Sequence, residues 1–274
     1  MFYDGPPHFV EKADRLKTEA FSWRTLWILW AGLALVESVL LWNNAALDSY
    51  AWRSTRWFFG DQGKYTYRAN AERLATQPGY VVGDDRAFFD RVTPWSNKLF
   101  KRTESIWRVL RTAGEPAFIA VLAVGLLIFD QRRRWHSAAI LIAATSSAGV
   151  ISWLVRAVSG RYRPDLDGVN SWEWFRGFDL DRNRDLSFPS GHATAAMATA
   201  AVMAYFFPRG RVYFFVLGAA CGFSRVVMQA HFYADVLLAG VLGWTLGSLI
   251  TKWLYEWLRA MDERTGRRIT SVGT

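Results

Sequence analysis

A chain of 274 residues that is 51% hydrophobic and 16% aromatic holds ample apolar content for a packed interior, which excludes a disordered chain. Its single cysteine, Cys221, excludes an intrachain disulfide framework. The excess of 33 basic over 24 acidic residues, +9 at neutral pH, fits nucleic acid, a membrane surface or an anionic substrate. Fifteen tryptophans and nineteen phenylalanines favour the membrane, where aromatic rings sit at the water–lipid boundary, and no nucleic-acid partner is expected.

Six apolar runs follow one another along the chain. The first, Thr25–Trp42, carries one ionisable residue, Glu37, and is long enough to cross a bilayer core, which takes roughly 20 residues. It is too long for the core of a cleaved signal and reads as an anchor. The second, Ala117–Phe129, is preceded by Gly114-Glu115-Pro116 and becomes adequate if its helix starts near Ala113, with Pro116 in the first turn. The third, Trp135–Val155, has small residues at its centre that let helices approach closely in lipid. The fourth is Ala193–Phe207, stopped by Pro208; the fifth is Val212–Met228; the sixth is Val236–Leu258, with Gly240, Gly243 and Gly247 along it. The expected fold is all-α: one integral membrane bundle of six transmembrane helices over residues 1–274, with an interfacial insert at 43–112.

Lys and Arg counted over short flanks place both termini in the cytoplasm. Arg132, Arg133 and Arg134 then fall inside, whereas the turn Gln229–Ala234 has no basic residue and falls outside. The connections from the third to the fourth helix and from the fifth to the sixth therefore face outward. The long segment Asn43–Thr112 is polar and aromatic, and reads as short amphipathic helices, serving either as a packed lid or in binding.

Three polar patches sit at the outward helix ends, spread over 156–235. The first runs from Arg156 through Arg161 to Arg163-Pro164. The second is Phe188-Pro189-Ser190-Gly191-His192. The third is Ser224-Arg225, five residues, His231, three residues, Asp235. Arg156, Arg163 and Arg225 are permanent cations with forked donors suited to phosphate oxygens. Ser190 and Gly191 read as a helix start, where exposed N–H groups bind anions. His231 and Asp235 share a face if their turn is helical, and a carboxylate on one ring nitrogen orients the other as nucleophile or base. His192 is then left to act as general acid, and the combination reads as a phosphoryl-transfer site.

With these patches the chain resembles the type 2 phosphatidic-acid phosphatase superfamily, whose pattern is Lys, six residues, Arg-Pro; then Pro-Ser-Gly-His; then Ser-Arg, five residues, His, three residues, Asp. Every fixed position matches except the first, where Arg156 stands for Lys. The resemblance implies that His231 attacks phosphorus and forms a phosphohistidine. It further implies that His192 protonates the leaving group and then activates water, and that Asp235 fixes the tautomer of His231. Arg156, Arg163, Arg225, Ser190 and Gly191 would hold the phosphoryl charge, with no cofactor and no metal. The implied activity is a membrane lipid phosphatase of the bacterial inner membrane, its site facing the periplasm or exterior. Its substrates would be phosphate or diphosphate esters such as undecaprenyl diphosphate, phosphatidic acid, phosphatidylglycerol phosphate or lipid A. A lipid-to-lipid phosphotransferase would use the same residues, and a catalytically idle binding or transport protein is a third reading. A vanadium haloperoxidase is disfavoured because those relatives are soluble.

Other polar residues read more plainly. Arg161 looks like an interfacial anchor. Asp179–Asp185 resembles the opening of a calcium loop but has Arg184 where Gly is expected and Ser190 where Glu is expected. Glu37 and Glu115 are either functional intramembrane acids or packed against polar neighbours. His8 and His136 lie outside the patches.

Overall fold

The computed structural model describes residues 23–59, 94–130, 134–164, 172 and 186–264; the calcium-like stretch, the basic cluster before residue 134 and most of the insert lie outside these. Among the described residues there are eight α-helices: α1 Trp23–Leu40, α2 Trp42–Phe59, α3 Pro94–Thr112, α4 Pro116–Phe129, α5 Arg134–Ser159, α6 Gly191–Phe206, α7 Arg211–Val227 and α8 Tyr233–Arg264. Each apolar run is a helix, and α2 and α3 come from the insert. Extended pairing is limited to two isolated bridges, Arg161 with Trp172 and Tyr162 with Leu186.

Four stretches are long and apolar enough to cross a membrane: Trp23–Leu40, Trp135–Ser159, Pro208–Val227 and Tyr233–Asp262. Lys98–Thr112 and Pro116–Phe129 together make a fifth candidate, bent by 58° at the break. The second apolar helix therefore starts at Pro116 rather than near Ala113. Glu115 precedes a proline at the first position of α4, where the missing N–H costs nothing, and α3 ends at Thr112. At 16 residues, α6 rises only about 24 Å, short of a bilayer core of about 30 Å.

The bundle is built around α6. Eleven of its residues are buried, most of them Ala, and it packs against α8, α7 and α5. The close approach has a visible cause. A Cβ on Gly243 would lie 2.2 Å from the Thr194 carbonyl oxygen, and one on Gly247 would lie 2.7 Å from that of Ala198. Without a hydrophobic force between helices in lipid, such small-residue seams supply the van der Waals contact. A second cluster joins Ile119 and Leu126 of α4, Ile140 and Leu141 of α5, and Val202 and Phe206 of α6. Trp27, Leu35, Phe129, Trp135 and Trp253 point outward, as lipid-facing side chains do.

α1 runs antiparallel to α8, tied by a hydrogen bond from Trp30 Nε1 to Thr245 Oγ1 at 3.1 Å. The C-terminal ends of α1, α5 and α7 and the N-terminal ends of α2, α4, α6 and α8 consequently gather at one end of the bundle. All three polar patches are at that end.

Candidate active site

α5 stops at Gly160, whose φ of 60° is left-handed and whose N–H closes on the Arg156 carbonyl, 3.1 Å away. The chain then extends through Arg161-Tyr162-Arg163, so neighbouring side chains alternate in direction. Arg163 points to Leu186, its Nε 3.4 Å from the carbonyl oxygen. Arg156, in the last turn of α5, donates from Nη2 to the Pro189 carbonyl at 3.0 Å. That contact needs Gly191: a Cβ there would come within 2.8 Å of the same Nη2. Arg156 Nε is buried with no hydrogen-bond partner. Ser190 is the N-cap of α6, yet its hydroxyl makes no capping bond and is likewise buried without a partner. Its backbone N–H instead donates to the Asp235 carbonyl at 3.0 Å, fastening the α6 start to α8. His192 follows in the first turn of α6 and is half-buried, its backbone lying against the α3–α4 elbow. A Cβ on Gly114 would be 2.3 Å from the His192 carbonyl oxygen.

His231 and Asp235 are not an i,i+4 pair on a helix face. His231 lies before α8, and Asp235 occupies the third helical position, its Oδ2 accepting the Phe232 N–H at 2.8 Å in the manner of a capping box. The carboxylate stands 3.5 Å from His231 Nδ1, and Ser187 fills the gap. The Ser187 hydroxyl donates to Asp235 Oδ2 in a short hydrogen bond and lies 3.2 Å from His231 Nδ1. With its proton given to the carboxylate, the serine oxygen accepts from Nδ1–H, which leaves Nε2 as the nitrogen able to react. Ser187, missed in the sequence reading, therefore stands between the two expected partners. The imidazole is fully buried, and this burial pushes it down to about 3; the nearby Arg163 and Arg225 add to the effect and Asp235 opposes it. It is a neutral base at physiological pH.

Arg225 is buried in the last turn of α7, within electrostatic range of both histidines. Ser224 turns away and donates to the Cys221 carbonyl at 2.6 Å. Cys221 packs beneath the site, its Sγ 3.9 Å from the His192 carbonyl oxygen. Glu115 pairs with Arg111 at 2.6 Å, and His136 pairs with Asp262 at 3.1 Å, the latter joining the start of α5 to the end of α8. Among the described residues no group of three or more His, Cys, Asp or Glu side chains is placed to hold a metal ion.

Arg161 is not an interfacial anchor. It is fully buried, donating from Nη1 to Asp235 Oδ1 at 2.7 Å and from Nη2 to Asp48 Oδ2 at 2.8 Å. Asp48, on α2 of the insert, accepts the N–H groups of Tyr233 and Ala234 with its other oxygen, at 3.0 and 3.3 Å. Glu37 of α1 lies within electrostatic range of Asp48, Asp235 and Arg161. Beside the site an apolar cavity of about 340 Å³ opens between α6, α7, α8 and α1, lined by residues that include Ala193, Gly222, Val226, Tyr233 and Leu29.

Residues 137–259 match the profile of the PAP2 superfamily, and all three patches fall inside that stretch. It is 36% identical over 122 residues to a lipid A 1-phosphatase of Rhizobium etli, covering 43% of this chain and 50% of that protein. It is 28% identical over 134 residues to a decaprenylphosphoryl-5-phosphoribose phosphatase of Mycobacterium tuberculosis, covering 48% of this chain and 69% of that one. The chain spans about half the length of the lipid A 1-phosphatases it matches. The crystal structure of a transmembrane PAP2 type phosphatidylglycerolphosphate phosphatase from Bacillus subtilis superposes with a TM-score of 0.53. At 17% identity, over 85% of this chain and 96% of that one, this is a likeness of fold.

Proposed function

We propose that the protein is an integral membrane lipid phosphatase working through a phosphohistidine on His231. The observation that carries this reading is the buried His231 imidazole, held at Nδ1 through Ser187 to Asp235, with Arg163 and Arg225 close enough to act on it. His231 Nε2 attacks phosphorus in line, and the bond to the leaving oxygen breaks as His192, protonated once the substrate phosphate offsets the arginines that otherwise oppose its charge, gives that oxygen its proton. The positive charge gained by the imidazole is offset by Asp235 through Ser187. Water then attacks the phosphohistidine, His192 takes its proton, and the P–N bond breaks to release phosphate. Arg156, Arg163 and Arg225, with the Ser190 hydroxyl and the Gly191 N–H at the start of α6, hold the phosphoryl oxygens. Electrostatic clamping of this kind supplies much of the rate in phosphoryl transfer. No step calls for a metal.

The apolar cavity, lined by Ala193 next to His192 and by Val226 next to Arg225, supports a substrate with a lipid tail. The likeness to lipid A 1-phosphatases puts a lipid A type 1-phosphate first among the substrates, ahead of undecaprenyl diphosphate, phosphatidic acid and phosphatidylglycerol phosphate. Both termini lie on the cytoplasmic side and the site opens to the periplasm.

The test is phosphate release by purified protein in mixed micelles with EDTA, across those four lipids, against His231→Ala. Release that survives EDTA and is lost in His231→Ala is expected. Full release by His231→Ala overturns the mechanism, and label passing to an acceptor lipid without free phosphate makes the protein a phosphotransferase.

A further inference from the structure

We propose that Arg161 and Asp48 are positioning residues for the nucleophile: together they lock the Asp235 carboxylate that holds His231, so that α2 of the insert is a working part of the site. The inference rests on the phosphohistidine reading above for its kinetic consequence, though not for its geometry.

A fully buried guanidinium is costly unless its charge and donors are met. One carboxylate would neutralise Arg161; the structure supplies two, on opposite arms of the fork. The ring of Phe232 adds a cation–π face, 4.3 Å from the guanidinium carbon, and that of Trp172 another at 4.9 Å. The second carboxylate is itself fixed, because Asp48 Oδ1 takes two of the orphan N–H groups at the α8 N-terminus, where the helix dipole favours negative charge.

The effect on Asp235 is that neither oxygen is left to turn. Oδ1 is committed to Arg161, and Oδ2 to Ser187 and the Phe232 N–H. A carboxylate unable to rotate dictates the direction of the Ser187 hydroxyl, and the serine oxygen then dictates which His231 nitrogen keeps its proton. Two further contacts seat α2 on the same turn. Trp52 meets Phe232 with ring centroids 6.0 Å apart, and Thr55 Oγ1 lies 2.6 Å from the Tyr233 hydroxyl. Asp48, Trp52 and Thr55 follow at helical spacing, so one face of α2 clasps the segment that carries the nucleophile. Neither Arg161 nor Asp48 is among the fixed positions of the three patches, and Asp48 also lies outside residues 137–259.

Asp48→Asn in the full chain tests this, because the amide oxygen can still accept from Tyr233 and Ala234 while the charge facing Arg161 is lost. The expected result is a kcat lower by about 10- to 100-fold, the scale of a small misplacement at a reacting centre, with KM within about twofold. The His231 imidazole ¹⁵N signals should move from the Nδ1–H tautomer toward a mixture. Arg161→Lys, which keeps charge without the fork, should shift the same signals and retain part of the activity. The proposal is overturned if both variants keep the wild-type tautomer, whether kcat is unchanged or falls only with the folded fraction. Should Asp48→Asn fail to fold, the tautomer in Arg161→Lys decides. Wild-type protein that releases no phosphate from any lipid would sink the phosphatase reading alone, since the tautomer comparison needs no turnover.

Discussion

Gly243→Ala puts the α6–α8 seam to the sharpest test. The added methyl would lie 2.2 Å from the Thr194 carbonyl oxygen and 3.1 Å from Met197 Cβ, where ordinary contact begins at 3.4 Å. The nearest atom is backbone, so no side chain can swing aside, and the two helices must part by about 1.2 Å, the difference between 3.4 and 2.2 Å. Thr194 is two residues from His192, and Gly243 is nearly three turns along the helix that begins beside His231. The parting therefore separates His192 from His231. Overpacking of this kind costs about 1–3 kcal/mol. A misplacement of about 1 Å at the reacting atoms lowers kcat on the order of 100-fold. Phosphate release in mixed micelles and the unfolding midpoint would be measured beside Gly125→Ala, whose methyl meets nothing within 4 Å and should change neither. If Gly243→Ala behaves like Gly125→Ala in both, the argument that the seam sets the site is wrong.

Ser187→Ala leaves His231 Nδ1 facing Asp235 across 3.5 Å with no bridge, and loss of a charge-assisted hydrogen bond should reduce kcat about 10- to 100-fold with little change in KM; an unchanged kcat would remove the serine from the relay. Gly191→Ala presses a methyl against Arg156 Nη2, and because that side chain can move, the fold should survive while KM for the lipid phosphate rises severalfold; a wild-type KM would show that Arg156 does not need its seat on the helix start. His231 should remain neutral in ¹⁵N spectra down to about pH 4, since its folded value sits near 3 against 6.5 in an unfolded chain. The sign follows: the unfolded chain takes up the proton first, so this contribution to stability is complete above pH 6.5 and is lost as pH falls toward 3. An imidazole titrating near 6.5 in the folded protein would refute its burial.

Much of this molecule is legible in its residues, for reasons of local physics. Apolar length gives the helices, and Pro116 and Pro208 mark breaks in them because proline lacks a donor. The catalytic candidates announce themselves because forked cations, a glycine at a helix start and a histidine near a carboxylate are each unusual beside a membrane segment. What spacing does not carry is pairing between distant segments. Asp48 reaches Arg161 across 113 residues and Arg161 reaches Asp235 across 74. Arg161 alone looks like any basic residue at a helix end, and the one available hint was its alternation with Arg163 across Tyr162, which sends the two side chains opposite ways. Ser187 gave no signal, a small hydroxyl ahead of Phe188-Pro189. Break points were harder than helices: Pro116 marks the start of α4, but the close approach of Gly114 to the His192 backbone is a contact that no local pattern reveals.

The attachment of α2 to the start of α8 bears on where this protein can be divided. A fragment beginning at residue 137 would retain His192 and His231, Arg156, Arg163 and Arg225, and both Ser187 and Ser190. It would nonetheless leave Arg161 with one carboxylate instead of two, and Tyr233 and Ala234 without the acceptor that Asp48 gives their N–H groups. The stretch recognisable by sequence thus stops short of Asp48, whose carboxylate closes both Arg161 and the start of α8.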